Sequence, residues 1–132
     1  KHLIENNLQL IFIPSNRTPK EIITFAKEYF NKNRLIIETV DKKAYLSSLA
    51  LSKYIVVTCD SSSMISEAAL TGKPVYVAMI QPKRNDKRFK KFRSLFEELN
   101  IIKELGNELT TWSYKSLDET SRVASKIKEQ LK

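Results

Sequence analysis

Side chains able to bind an anion are concentrated in the middle of the chain, directly after a short apolar run. The run is followed by Asp60, Ser61, Ser62, Ser63 and Met64, with Glu67 a little further along. If a helix begins at Ser62, its free amides and the serine hydroxyls would surround a phosphate. Ser63 and Glu67 would share one helical face, where a carboxylate can accept hydrogen bonds from the hydroxyls of a ribose. The pattern predicts a site for a nucleotide-like ligand.

The same residues also have a purely structural interpretation. Serine and aspartate are common helix caps, so residues 60–63 could serve only to satisfy the first amides of the helix. A glutamate such as Glu67 in the first turns of a helix is favourable by itself, because it complements the helix dipole. Asp60 would repel an anion unless its carboxylate points away, caps the helix or accepts a ligand hydroxyl. From the sequence alone both interpretations stay open.

Short apolar runs alternate with amphipathic segments along the chain. The patterns predict strands at 8–13, 35–39, 54–58 and 75–80, and helices at 19–31, 45–50, 62–71, 87–99 and 117–131. Thr18 and Glu21 form a capping box with Pro19 at the first helical position, and Gly72 suits the left-handed end of a helix. Such alternation predicts a parallel sheet with right-handed crossovers. We therefore expect an α/β fold, a Rossmann-like three-layer α/β/α domain, as a single domain over residues 1–132.

Three predicted strands end in polar residues that would lie side by side at one edge of the sheet. These ends are 15–17, 38–41 and 58–63, and polar residues gathered at one edge are typical of a ligand cleft. Ser15 would then belong to the site, and Arg17 would supply a cation to a diphosphate. The alternative is that turns are polar for reasons of their own and that Arg17 is a surface residue.

The net charge of +8, with 23 basic side chains, raises the question of nucleic-acid binding. In the densest patch, 83–93, and just beyond it, Phe89, Phe92 and Phe96 recur at helical spacing. We therefore expect the aromatics to face the core and the lysines to face water, as a solvated helix face. Nucleic acid is the less favoured partner.

Residue types that are scarce exclude several other chemistries. The chain has two glycines, so it lacks the glycine-rich fingerprint of dinucleotide sites. One cysteine and one histidine argue against a zinc site and exclude an internal disulfide. We expect Cys59 to be a small buried hydrophobe rather than a nucleophile, and no catalytic residue is identified. No apolar run is long enough to span a membrane, and a cytoplasmic protein is expected.

Several segments together resemble a known family. They are residues 14–19, 57–68, 71–75, 88–89 and 112–124, including the block Asp-Ser-Ser-Ser-Met-Ile-Ser-Glu-Ala and the run Thr-Gly-Lys-Pro-Val. In this order, over nearly the whole chain, they are similar to the mitochondrial-fission elongated-mitochondria family, which includes plant fission factors and bacterial relatives. The block with its Thr-Gly-Lys-Pro-Val run is fairly specific, whereas the other segments are individually weak.

The resemblance implies a GT-B glycosyltransferase-like protein, in which two Rossmann-like domains enclose a cleft. It places this chain in the C-terminal, donor-binding half, with residues 61–63 facing the diphosphate of a nucleotide-diphosphate sugar and Glu67 facing its ribose. Val40 and Asp41 would lie near the base. The nucleotide sugar would be the substrate, with no separate cofactor, and the N-terminal domain would be a partner.

Two positions depart from the pattern of that family. Asn16 stands where a basic residue is expected, which would weaken anion binding, and Ala44 stands where a proline often precedes the aromatic residue. Because the chain begins with Lys1 and lacks an N-terminal domain, we expect a fragment of a two-domain protein that is inactive alone. The alternative is a degenerate transferase fold that acts as a protein-binding scaffold, as the fission role of the plant members indicates.

Overall fold

Strands and helices alternate along the chain, as the sequence predicts. The computed structural model describes residues 8–30, 32, 34–59, 61–79, 87–106, 108–115 and 127–131, and of Arg88 only the backbone. The chain divides into two compact units, Lys1–Leu51 and Ser52–Lys132. Every strand pair among the described residues is parallel. This is an α/β fold, consistent with a Rossmann-like α/β/α domain.

The first unit contains two strands and two helices. They are β1 (Leu10–Phe12), α1 (Lys20–Tyr29), β2 (Arg34–Ile36) and α2 (Lys42–Leu51). Leu10 lies opposite Arg34, and Phe12 lies opposite Ile36, in a parallel two-stranded sheet. Parallel strands need a crossover connection, and α1 supplies it. Both strands are shorter than the predicted ranges 8–13 and 35–39.

Helix α1 begins one residue later than its capping pattern predicts. Pro19 is the N-cap residue, with φ −62° and ψ 147°, and no side chain caps the helix. The Thr18 hydroxyl instead accepts a hydrogen bond from the Ser15 amide at 2.9 Å. The predicted capping box between Thr18 and Glu21 is therefore wrong, because Thr18 closes the preceding turn rather than the helix.

The apolar stripe of α1 is largely exposed. Ala26 is 2% exposed, whereas Ile22, Phe25 and Tyr29 are 47%, 58% and 48% exposed. Phe25 and Tyr29 stack on each other, with ring centroids 5.4 Å apart. The helix is amphipathic as the spacing predicts, but of these four residues only Ala26 is buried.

The second unit contains three strands and two helices. They are β3 (Ile55–Thr58), α3 (Ser62–Ala69), β4 (Val75–Ala78), α4 (Lys87–Glu98) and β5 (Ile102–Glu104). The strand order is β3-β4-β5, with Val57 opposite Val77 and Val77 opposite Glu104. Strand β5 is not predicted from the sequence, because only Ile102 among its three residues is apolar.

Each element of the second unit contributes to its core. The residues exposed by 2% or less include Ile65, Ala68, Ala69, Val75, Val77, Phe96, Ile101 and Ile102. Gly72 ends the first crossover in the left-handed conformation, with φ 72°, as predicted. Its amide donates to the Ala69 carbonyl at 3.4 Å, which closes the last turn of α3.

Three aromatic side chains tie the segment 108–115 to the rest of the second unit. We refer to them as the aromatic clasp: Tyr76, Trp112 and Tyr114. The Tyr76 hydroxyl accepts a hydrogen bond from the Thr110 amide at 2.7 Å and donates one to the Thr110 carbonyl at 3.1 Å. The Trp112 indole donates to the Asn100 carbonyl at 2.9 Å, and its ring meets that of Tyr76 edge-on at 5.2 Å. Main-chain groups of the segment and of the α4–β5 turn are thereby satisfied by side chains.

Tyr114 makes the third connection of the clasp, at the end of α3. Its hydroxyl donates toward the Lys73 carbonyl at 2.8 Å and the Ala69 carbonyl at 3.1 Å. Burial raises the pKa of Tyr114 above its ordinary value of 10.0, and hydrogen bonding at Thr71 and Gly72 offsets part of the rise. The phenol is therefore held in its neutral form.

The last predicted helix, 117–131, falls mostly outside the described residues, within which 127–130 are helical. Residues 83–86 of the basic patch also lie outside them. In the part of the chain that the structure describes, the longest helix is α4, with 12 residues, and none has the length and apolar composition to cross a membrane.

Candidate functional site

In the β3–α3 turn, residues 58–61, the described residues Cys59 and Ser61 both make backbone hydrogen bonds. The Cys59 amide donates to the Ala78 carbonyl at 3.1 Å, which extends the pairing of β3 and β4 by one residue. The Ser61 amide donates to the Thr58 carbonyl at 3.2 Å. Asp60, one of the predicted site residues, lies outside the described residues. The turn thus places the N-terminus of α3 directly beyond the carboxyl end of β3.

Ser61 is the N-cap residue of α3, but its side chain makes no capping hydrogen bond. Its backbone has φ −113° and ψ 81°, and its carbonyl accepts the first helical bond from the Ile65 amide at 3.0 Å. The amides of Ser62, Ser63 and Met64 precede that bond, so they have no acceptor within the helix, as at any helix start. The interpretation of Ser61 as a simple cap is therefore not supported by the geometry.

The predicted site residues on α3 differ in their access to solvent. Ser63 and Glu67 are exposed and lie one turn apart, so they share a face as predicted. Ser62 and Met64 are half-buried, and Ser61 is only 4% exposed. A ligand at the start of α3 would therefore meet backbone amides and the side chains of Ser63 and Glu67 before it met Ser61.

Arg93 is a residue of this site that sequence reasoning missed. It lies on α4, is 5% exposed, and its Nη1 donates to the Cys59 carbonyl at 3.0 Å. It is the last residue of the 83–93 patch, for which the sequence predicts a solvated helix face, and its burial departs from that expectation. Arg93 follows Phe89 by four positions, so helical spacing would have placed it on the aromatic face.

The neighbouring aromatic residues behave as predicted. Phe92 and Phe96 are 5% and 0% exposed, and their rings lie 4.5 Å apart. Cys59 is 4% exposed, which confirms it as a small buried residue. The described residues contain no group of three or more His, Cys, Asp or Glu side chains that could hold a metal ion.

Ser15 and Arg17 lie in the first unit, in the turn after β1. The Thr18 amide donates to the Ser15 carbonyl at 3.0 Å, and the Arg17 amide donates to the Ser15 hydroxyl at 3.2 Å. Arg17 is exposed and Ser15 is half-buried. That these two residues share a cleft with the start of α3 stays a prediction.

Val40 and Asp41, expected near the base of a nucleotide, precede α2 in the first unit. Val40 is 58% exposed. Asp41 caps α2, because its Oδ1 accepts a hydrogen bond from the Ala44 amide at 3.1 Å. The Asp41 carboxylate is thus already used in a structural role.

The parallel α/β arrangement, with a polar turn and a helix start beyond the end of a strand, is characteristic of Rossmann-like domains. The model of the mitochondrial fission ELM1 family matches residues 1–131. The chain therefore belongs to that family.

Two curated relatives were found as well. The chain is 35% identical over 125 residues to uncharacterized protein RP120 of Rickettsia prowazekii, covering 89% of this chain and 35% of the relative. It is 31% identical over 122 residues to the mitochondrial fission protein ELM1 of Arabidopsis thaliana, covering 89% of this chain and 28% of the relative. The chain thus spans about a third of the length of these relatives. No solved structure gave a significant match.

Proposed function

We propose that the second unit binds the diphosphate of a nucleotide-diphosphate sugar at the start of α3. The observation that carries this proposal concerns Ser61: it is the N-cap residue of α3, and its side chain makes no hydrogen bond to the helix. The amides of Ser62, Ser63 and Met64 precede the first helical bond and carry the positive end of the helix dipole. These amides are suited to the oxygens of a phosphate.

Glu67 gives the proposed site a second type of contact. It is exposed and lies one turn after Ser63, on the same face of α3. A carboxylate at that distance from the helix start would accept hydrogen bonds from the two hydroxyls of a ribose whose diphosphate lies at the amides. This spacing favours a nucleotide over a free phosphate.

The reaction proposed for the whole protein is glycosyl transfer in a GT-B-type arrangement. In such chemistry the donor-binding domain holds the leaving diphosphate, by position and by hydrogen bonds from preorganised amides. The acceptor and the catalytic base would be supplied by parts of the protein outside this chain.

The test is the substitution Glu67→Ala in the intact protein. We expect the affinity for uridine diphosphate, measured by calorimetry, to fall by about 1.5–3 kcal/mol, because hydrogen bonds to a charged group are lost. Glu98→Ala is the matched control, since Glu98 is an exposed glutamate on another helix of the same unit. Unchanged affinity in Glu67→Ala would refute the role of Glu67. Failure of the wild-type protein to bind any of the common nucleoside diphosphates would refute the proposed function itself.

A second candidate function is a protein-binding scaffold, without transferase activity. It is favoured by the exposed apolar stripe of α1, where Ile22, Phe25 and Tyr29 are each about half exposed, and by the name of the Arabidopsis relative, a mitochondrial fission protein. Exposed apolar patches of this kind commonly mark interaction surfaces. Capture of a partner that is lost in Phe25→Ser, together with no thermal shift across a panel of nucleotides, would favour this function over nucleotide binding.

A further inference from the structure

We propose that Arg93 is a positioning residue of the anion site: from α4, it holds the β3–α3 turn in the shape that directs the first amides of α3 toward a ligand. This inference rests on the proposed function for the identity of the ligand. The positioning role itself is a property of the turn and can be measured without any ligand.

The burial of Arg93 is the first observation. Arginine is almost never fully buried unless it is paired, and an isolated buried charge is very unfavourable. Arg93 is nevertheless 5% exposed, beside Phe92 and Leu95, which are 5% and 3% exposed. Its burial therefore indicates that the guanidinium has specific partners in the interior.

The partner of Arg93 is the second observation. Its Nη1 donates to the Cys59 carbonyl at 3.0 Å, a hydrogen bond between residues 34 positions apart in the sequence. The amide of the same residue, Cys59, donates to the Ala78 carbonyl of β4 at 3.1 Å. Both main-chain groups of Cys59 are therefore fixed, the amide by the sheet and the carbonyl by α4.

The location of this bond explains why it matters for a ligand. Cys59 lies two residues before the N-cap Ser61, so its orientation sets the path of the chain into α3. A hydrogen bond from a charged donor is about twice as strong as a neutral one, and arginine keeps its charge when buried. Arg93 thus combines a firm hold on the turn with a positive charge behind an anion site.

The test compares Arg93→Met, Arg93→Lys and the control Lys91→Met in the intact protein. Lys91 is exposed on the same helix, so its substitution removes the same charge without touching the turn. Hydrogen exchange of the amides at 58–65, without nucleotide, is the first readout. We expect exchange there to accelerate by about tenfold or more in Arg93→Met, because local opening of the turn no longer has to break the hydrogen bond from Arg93 to Cys59. Lys91→Met should leave it unchanged.

Arg93→Lys separates position from charge. Lysine keeps the charge but lacks the planar guanidinium and its reach, so we expect the turn to stay loose and the affinity for uridine diphosphate to fall about tenfold or more, as in Arg93→Met. Wild-type exchange at 58–65 in both Arg93 variants would overturn the proposal. So would acceleration in Arg93→Met that is equally large in β5 and α4, or full rescue by lysine. If the wild-type protein binds no nucleotide, the proposed function fails, whereas the exchange result still decides the role of Arg93.

Discussion

The two N-cap residues Asp41 and Ser61 make an internal comparison, because one forms a capping hydrogen bond and the other does not. The Asp41 carboxylate accepts a bond from the Ala44 amide at 3.1 Å, whereas no side-chain bond caps α3 at Ser61. Ser61→Ala should therefore have little effect on its helix, and Asp41→Ala should destabilise α2. If the Ser61 side chain served as a structural cap, Ser61→Ala would instead destabilise α3.

The expected magnitudes follow from this difference. Replacing a capping side chain by alanine costs about 0.5–2 kcal/mol, so Asp41→Ala, whose bond is solvent-exposed, should cost about 1 kcal/mol. Ser61→Ala removes a hydroxyl that makes no capping bond, so its cost should stay at or below the lower end of that range, about 0.5 kcal/mol.

Hydrogen exchange resolved by helix is the suitable assay, because α2 and α3 belong to different units and one global unfolding transition would average them. Exchange of the first amides of α2 should accelerate in Asp41→Ala, and that of the α3 amides should be nearly unchanged in Ser61→Ala. An equal or larger acceleration in α3 would show that Ser61 caps the helix in solution, and the main support for the anion site would be lost.

Two further predictions concern stability. Phe96→Ala, at a residue with 0% exposure, should lower the free energy of unfolding by about 3–5 kcal/mol in urea titrations; Phe25→Ala, at 58% exposure, is the control and should cost far less. A similar loss in both variants would contradict the assigned core. Burial raises the pKa of Tyr114 above 10.0. The contribution of the neutral phenol to the free energy of unfolding should therefore be complete below about pH 10, and it should be lost as the pH rises through the folded-state pKa. Thermal unfolding of Tyr114→Phe against wild type should show a difference that narrows above that pH, and a difference independent of pH would refute it.

Much of the fold could be predicted from local patterns. The run at 75–80, the helical spacing at 87–99 and the position of Gly72 all correspond to elements of the structure, because each depends on residues close in sequence. Strand β5 could not be predicted, since Lys103 and Glu104 give it no apolar alternation. It forms because β4 offers an open edge, which is a property of the sheet rather than of the segment.

The candidate site was predictable in part for the same reason. The shared face of Ser63 and Glu67 follows from helical spacing alone. Whether Ser61 caps its helix could not be decided, because a serine at an N-cap position has the same sequence signature with or without the bond. The role of Arg93 was missed because charge was given more weight than its position four residues after Phe89.

The exposed stripe of α1 shows a different limit of sequence patterns. An apolar stripe predicts that a helix has a face suited to burial, but it does not identify what covers that face. Ala26 is buried while Phe25, beside it in sequence, is 58% exposed. Such exposure depends on contacts between distant parts of a protein, which local periodicity does not encode.

The aromatic clasp has a consequence for how this region tolerates mutation. Each of its side chains bonds to main-chain groups, at Thr110, at Asn100, and at Ala69 and Lys73. A main-chain hydrogen-bonding group survives almost any replacement of its own side chain, whereas the bond made by an aromatic side chain is lost when that side chain is replaced. A saturation library should therefore show intolerance at Tyr76, Trp112 and Tyr114, beside broad freedom at Thr110 and Lys73, whose side chains lie outside the core.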